Sequence, residues 1–201
     1  MSKRTYPDRI DTSLFREDIK KCLEVLNNGG VILYPTDTIW GLGCDASNEE
    51  AVNKVFAIKK RADSKSMLVL MENINLLERY VNKVPDVAYD LIELTEKPLT
   101  IIYSGAKNLA SGLIAQDGSV GIRFTTEPFT SQLIQRFRRP LVSTSANISG
   151  MNSPANFDEI NEEIINAVDY TVTYRQADKT PASPSSIIKL GETGEVKVIR
   201  K

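Results

Sequence analysis

The chain has 201 residues, 41% of them hydrophobic and 25% charged, with 25 basic against 26 acidic side chains and a net charge of −1. That length suits one well-buried domain or at most two small ones, and the composition is that of an ordinary globular protein. The charge balance excludes a general nucleic-acid coat, which would be basic overall, though a local basic patch stays open.

Histidine is absent, which removes every His-based triad, His general base and His-containing metal site. The two cysteines, Cys22 and Cys44, form no CxxC pair. Both read as small packing residues, and nothing suggests disulfides or structural zinc. The N-terminal M-S-K-R-T-Y-P-D-R has no apolar core for a signal peptide. No window is apolar for long enough to span a bilayer, so no membrane contact is expected and the compartment is the cytoplasm by default.

Residues 1–15 are polar and irregular, an arm or an oligomer contact. From Arg16 to Asn28, Ile19, Cys22, Leu23 and Leu26 recur on one helical face. Asn27-Asn28-Gly29-Gly30 ends that helix, because Asn and Gly tolerate the left-handed conformation. Val31–Tyr34 reads as a short buried strand that Pro35 stops by removing a backbone donor. Thr36, Asp37 and Thr38 then place two hydroxyls and a carboxylate at a strand edge. Gly41 and Gly43 are expected to let the backbone turn sharply or approach a ligand. Asn48 is the expected cap of the next helix, with Glu49 and Glu50 where the helix dipole favours negative charge. Ala51, Val52, Val55, Phe56 and Ile58 form its buried side, and its end is basic: Lys54, Lys59, Lys60, Arg61 and Lys65.

Met67–Met71 is strand-like, Leu76–Val81 suits a short helix, and Pro85 opens another through Val87, Leu91 and Leu94. Leu99–Tyr103 and Val120–Phe124 are strand-like and flank a small-residue loop at Ser104–Ser119. A helix is expected over Thr130–Phe137, a buried strand over Leu141–Ser145, a helix over Phe157–Val168, and a short strand at Val172 and Tyr174. Asp178–Ser186 is a loop. Ile187–Leu190 and Val196–Ile199 close the chain as a hairpin across Gly191-Glu192-Thr193-Gly194. Helices and strands interleave with both hairpins and longer crossovers, which predicts an α/β (α+β) fold on a mixed sheet, in one domain over 1–201.

By residue type, the hydroxyl turn, the glycines and the basic helix end together suggest a site for an anionic ligand. Lys is a point charge suited to phosphate and Arg can grip an oxyanion bidentately, although Lys59, Arg61 and Lys65 equally describe a solvated face. Ser145 and Asn147 follow a strand and either present hydroxyl, amide and backbone N–H groups at one mouth or make a simple Asx or Ser turn.

The ordered motifs Y-P-T-D-T-x-x-G-L-G-C-D-A, Lys59-x-Arg61 and Ser145-Ala146-Asn147-Ile148-Ser149-Gly150 resemble the YrdC-like family, over nearly the whole chain. Its members are threonylcarbamoyl-AMP synthases, nucleotidyltransferases that serve the threonylcarbamoyladenosine modification of tRNA. The resemblance implies a twisted mixed sheet flanked by helices with a basic concave cleft, and a single-domain form without the extra C-terminal domain of longer members. It implies L-threonine, bicarbonate and ATP as substrates, Mg2+ on the phosphates and no metal site of the protein's own. Asp37 is the one acidic residue named as a candidate to touch Mg2+. RNA or tRNA contact and downstream threonylcarbamoyl-transferase proteins are implied partners.

Carried onto this sequence, the resemblance makes Lys59, Arg61, Ser145 and Asn147 the catalytic set. ATP falls to Lys59, Arg61, Lys65, Ser119, Thr144, Asn147 and Arg200, and threonine to Thr36, Thr38, Arg123, Ser145 and Ser185. Arg200, as the penultimate residue, could equally be a frayed terminal charge. The sequence departs from the family pattern at Trp40 (usually Tyr), at Thr95–Thr100, at Phe124–Pro128 and at Ala155, which touches the details of threonine and nucleotide contact. A non-enzymatic RNA-binding module on the same fold, and a paralogue with different adenylating chemistry, are the alternatives.

Overall fold

The apolar spacing after Arg16 produces α1 (Arg16–Asn27), which buries Ile19, Cys22 and Leu26 and ends where Gly29 takes a φ of 69°. The computed structural model describes residues 11–60 and 67–201. The expectations for residues 1–10, Arg61 and Lys65 therefore lie outside the described residues. What is described of the expected arm ends in a 3-10 turn, Thr12–Phe15. Its Phe15 is buried, 5.8 Å from the Phe129 ring and 5.0 Å from that of Tyr174.

Nine strands form one sheet among the described residues: β1 (Ile32–Tyr34), β2 (Gly41–Gly43), β3 (Leu68–Met71), β4 (Leu99–Tyr103), β5 (Val120–Phe124), β6 (Leu141–Ser145), β7 (Tyr170–Thr171), β8 (Ser186–Leu190) and β9 (Val196–Arg200). Their spatial order is β7-β1-β2-β6-β3-β5-β4-β8-β9. The pairs β1/β7, β3/β5 and β4/β8 are parallel and the other five antiparallel, so the sheet is mixed, as expected. The remaining helices are α2 (Glu49–Ile58), α3 (Asp86–Leu94), α4 (Pro128–Phe137) and α5 (Glu162–Ala167). Asn48 caps α2 by accepting from Ala51 N–H. No helix among the described residues is long and apolar enough to cross a membrane.

Several expectations need correction. Gly41 and Gly43 do not make a loop: they are strand residues of β2, paired with Tyr34 and Ile32. Their lack of a side chain serves close packing, since a Cβ on Gly43 would stand 2.5 Å from Tyr34 Cε1 and 3.0 Å from the Val142 carbonyl. The expected helix over Phe157–Val168 is broken into a 3-10 turn (Phe157–Glu159) and α5. Ile160 adopts an extended conformation between them and Asn161 caps the second piece through Glu163 N–H. Asn there serves as a start signal inside an apolar period. Ile74–Arg79 is a 3-10 helix, and the expected strand at Val172 and Tyr174 lies earlier, at Tyr170–Thr171. Asp18, buried on α1, takes over the following backbone by accepting from Thr173 N–H and Tyr174 N–H at 3.0 and 2.9 Å, as well as from Tyr170 OH at 2.5 Å.

One consequence is measurable. Gly43→Ala overpacks the β1–β2 hairpin and should cost about 1–3 kcal/mol, the range for added methyls in close-packed interiors. A denaturant midpoint equal to that of the parent chain would show that the hairpin has slack.

Candidate active site

Strand pairing assembles the site. Side chains two apart on a strand share a face, so Thr100 and Ile102 on β4 point the same way, as do Gly121 and Arg123 on β5. Register then sets Thr100 opposite Arg123, Leu68 opposite Ser143, and Gly41 opposite Ser145. Across this face the side chains are small or absent at Gly41, Ser143, Ser145, Thr100 and Gly121. The floor is therefore hollow. The cleft above it has a volume of about 340 Å³ and is lined in part by Thr38, Trp40, Arg123, Thr144, Ser185 and Arg200.

Arg123 is the deepest charge, 2% exposed. Its Nη1 donates to Thr38 Oγ1 at 3.0 Å, and its Nη2 stands 3.0 Å from Asp37 Oδ1. The second contact is close but misaligned: Asp37 Oδ1 gains a charge and no hydrogen bond, and the buried Arg123 Nε has no partner either. Burial pulls the guanidinium's pKa down and Asp37 opposes that. Burial likewise pushes the Asp37 carboxyl up, with Arg123 acting against it. Proton positions follow by elimination. Thr36 Oγ1 donates to the Ile39 carbonyl at 2.8 Å, so at its 2.9 Å contact with Thr38 it accepts. Thr38 thus donates to Thr36, accepts from Arg123, and keeps one lone pair.

At one flank, β6 ends in Thr144 and Ser145, both on the cleft wall. Lys59, at the end of α2 and 3% exposed, donates to the carbonyls of Ser145 and Asn147 at 2.5 and 2.7 Å. Asn147 directs its amide N–H groups to the Ile148 and Met151 carbonyls, which leaves Oδ1 buried without a partner. At the other flank, Ser185 Oγ lies 2.8 Å from Thr100 Oγ1, and its carbonyl accepts from Arg200 Nε and Nη2 at 3.0 and 2.6 Å. Arg200 is docked on β9 rather than frayed, and Arg123 and Arg200 make the cleft basic.

The predicted residues divide accordingly. Thr38, Arg123, Thr144, Ser145, Ser185 and Arg200 meet in the cleft. Lys59 and Asn147 are not on its wall and form the support of its Ser145 edge. Thr36 sits behind Thr38 with its lone pairs taken by Thr38 N–H and Oγ1. Ser119 is also off the wall, its hydroxyl given to Asp117 Oδ1 at 2.6 Å. The sequence reading missed Thr100, Gly121 and Ser143. Strand parity signals Gly121 through Arg123, but placing Thr100 and Ser143 beside it needed the pairing of distant strands. Cys22 and Cys44 are buried with their thiol pKa values pushed up, which makes them inert.

The residues do not fit a protein-held metal. No three His, Cys, Asp or Glu side chains converge among the described residues. The carboxylate beside the cleft, Asp37, is committed to Arg123.

The family model described as "Telomere recombination", for Sua5, YciO and YrdC proteins, matches residues 24–201. The chain belongs to the Sua5/YciO/YrdC family. It is 36% identical over 157 residues to the threonylcarbamoyl-AMP synthase of Pseudoalteromonas translucida, covering 77% of this chain and 84% of that protein. Over 182 residues it is 37% identical to the putative threonylcarbamoyl-AMP synthase of Methanocaldococcus jannaschii, covering 88% of this chain and 84% of the relative. Among solved structures, Escherichia coli YciO superposes with a TM-score of 0.78 at 24% identity, over 92% of this chain and 89% of that one. P. abyssi Sua5 complexed with L-threonine superposes with a TM-score of 0.77 at 23% identity, over 87% of this chain and 51% of that one. These two likenesses establish the fold.

The buried ion pair can be tested directly. Arg123→Met strands the Asp37 carboxylate and should cost about 3–5 kcal/mol at neutral pH, as when one partner of a buried pair is removed. With the cation gone, the native carboxyl rises further above its unfolded value. The native state then holds a proton that the unfolded chain releases, and stability falls as pH rises through that interval. Urea unfolding at pH 5 and pH 7 should give the larger loss at pH 7, with Asp37→Asn in the same background restoring part of it. A loss independent of pH would remove Asp37 from the account.

Proposed function

We propose that this protein is an L-threonylcarbamoyladenylate synthase, which forms threonylcarbamoyl-AMP and pyrophosphate from L-threonine, bicarbonate and ATP. The observation that carries the reading is the basic cleft in which Arg123, Thr38 and Arg200 face the Thr144–Ser145 edge. Two relatives at 36% and 37% identity bear the synthase name, one of them as putative. The reading extends to a single YrdC-like domain over 1–201, to the cytoplasm as working compartment, and to downstream transferase proteins that carry the product to tRNA.

In this reaction bicarbonate takes up a proton and loses its hydroxide as water. The threonine amine adds to the resulting CO2 carbon and gives up a proton to form the carbamate. An oxygen of the resulting carbamate attacks the α-phosphorus of ATP, the bond to the β-phosphate breaks, and pyrophosphate leaves. Catalysis then rests on holding anions together and on fixed positive groups where charge develops. Arg123 has an unpartnered buried Nε and Thr38 a spare lone pair. A threonine carboxylate satisfies the first, and the substrate's hydroxyl or amine suits the second. Ser185 lies beside the same floor. Arg200, with Thr144, falls to the nucleotide phosphates, and Ser145 stays with threonine and the catalytic set. Lys59 acts through the Ser145–Asn147 backbone that it holds and through its charge beneath it. Arg61 and Lys65 are retained in the proposal as further phosphate contacts. Mg2+ enters with the nucleotide, and Asp37 is not proposed as its ligand.

The RNA-module reading is weaker on geometry. It would use Lys54, Lys59, Lys60, Arg61, Lys65, Arg136, Arg138 and Arg139. Of these, Lys59 is buried, Lys54 donates to the Gly29 carbonyl at 2.8 Å, Lys60 pairs with Glu163 at 2.6 Å and Arg139 with buried Asp45 at 2.5 Å, while Arg136 and Arg138 are exposed. Phosphate contacts need exposed, uncommitted cations.

Pyrophosphate release should require both L-threonine and bicarbonate in addition to ATP and Mg2+. Lys59→Ala and Ser145→Ala should each lower kcat/KM by about 10²-fold or more, the scale of losing one preorganised polar group, with unchanged circular dichroism. Full rate in both variants would refute the site assignment. No release despite ATP binding would favour a paralogue with other chemistry.

A further inference from the structure

The turn that carries Thr38 runs from Pro35 to Trp40, and its carbonyls are gripped from several directions. Pro35 O accepts from Thr130 Oγ1 on α4 at 3.0 Å, and Trp40 O accepts from Ala146 N–H at 3.0 Å. Ile39 O is held by Thr36 within the turn. Thr36 O accepts from Arg175 Nη1 at 3.1 Å, and Arg175 lies 139 residues away in sequence.

Arg175 is an unusual residue. Its φ is 66°, a left-handed conformation that a non-glycine residue seldom adopts and that costs about 1–2 kcal/mol. Such an outlier persists when its surroundings over-determine it. Here Nε and Nη2 donate to Asp178 Oδ2 at 3.2 and 3.0 Å, and Nη1 stands 3.9 Å from Glu127 Oε1. Hydrogen bonds from Thr180 and Arg175 hold the Asp178 carboxyl down to about 2, so this partner is charged throughout the useful pH range. Glu127 is buried, and its other oxygen caps α4 by accepting from Thr130 N–H at 2.7 Å. The two residues before Arg175 are fixed to Asp18 of α1. The guanidinium therefore joins a backbone anchored on α1, the N-terminus of α4 and the Thr36 carbonyl.

We propose that Arg175 is a positioning residue for the amino-acid substrate: it braces the Thr36 peptide so that Thr36, Thr38 and Arg123 stay in one hydrogen-bonded line. Without the brace the Thr36 hydroxyl loses its fixed origin. Thr38 then no longer presents its lone pair at a set point, and Arg123 loses the acceptor that orients its Nη1. Among the described residues, β6, β8 and β9, which carry Thr144 and Arg200, make no hydrogen bond or ion pair with Arg175. The effect is confined to the threonine end.

For its substrate the proposal rests on the synthase reading, but the two fail separately. Arg175→Met keeps the aliphatic stem and removes the fork; Arg175→Lys keeps one cation without the bidentate grip. Both meet the same left-handed backbone, so its strain cancels in the comparison. Arg175→Met should raise the Kd for L-threonine, read by calorimetry, about tenfold while the Kd for ATP moves less than about twofold, with Arg175→Lys between, as for a misplaced rather than deleted binding group. Equal shifts for both ligands, or none, overturn the proposal. Trp40 is the chain's one tryptophan and belongs to this turn. Its acrylamide quenching in the ligand-free protein should rise in Arg175→Met. If the parent chain binds no threonine, the synthase reading falls. The brace is then judged by the quenching alone, and unchanged quenching overturns it.

Discussion

Burying a guanidinium is the constraint on which the rest of the site depends. Arg123 stands in the middle of the sheet, and an uncompensated charge there would cost several kcal/mol. Compensation comes from the turn before β2, which offers Asp37 as a counter-charge and Thr38 as an acceptor. The sheet order puts β6 and β3 between that turn's hairpin and β5, so the turn must reach over the hollow face to meet the arginine. The same reach closes one end of the cleft. The compensation is also incomplete. Asp37 is misaligned and Arg123 Nε is unpaired, and an anionic ligand would supply what the fold leaves out.

The hollow itself is made by omission. Two glycines, two serines and a threonine occupy face positions where a sheet core would normally carry Val, Ile or Leu. On the opposite face Val69, Ile101, Ile122 and Val142 are buried in the hydrophobic core in the ordinary way. A sheet with one face packed and the other emptied at its centre gives a rigid floor. Its edges are held from behind by single charged side chains: Lys59 under Ser145 and Asn147, Arg200 over Ser185, Arg175 on Thr36. Each directs N–H groups at backbone carbonyls, which fixes the chain path at the cleft's edges.

Elements whose signal is local are legible in the sequence. The Asn48 cap, the Pro85 helix start, and the strands at Val120–Phe124 and Leu141–Ser145 follow from residue type and short periodicity. The failures share a cause. Gly41 and Gly43 suggest a loop by composition, but here Gly43 answers Tyr34 and Val142, and Gly41 answers Ser143 and Thr144, which approach from other strands. Asn161 lies inside an apolar period that spacing alone reads as one helix, and its side-chain bond to Glu163 N–H starts a new one. Ser119 and Thr36 carry suitable hydroxyls but spend them on neighbours, which no spacing rule reveals.

Residue type and local spacing were enough to set the class of fold, the absence of histidine chemistry, and the basic and hydroxyl character of the site, and the resemblance to a known family marked the two motif regions. Spacing within about ten positions is translated directly by local backbone geometry, which is why these properties are legible along the chain. Three-dimensional packing was needed to show which of those residues share the cleft, that Lys59 and Asn147 support its wall rather than line it, and that Arg175 reaches the Thr36 carbonyl behind it. Such outcomes depend on register between strands as distant as β2 and β6 and on which lone pairs are already taken. Both are set by long-range contacts, which cannot be read from neighbours along the chain.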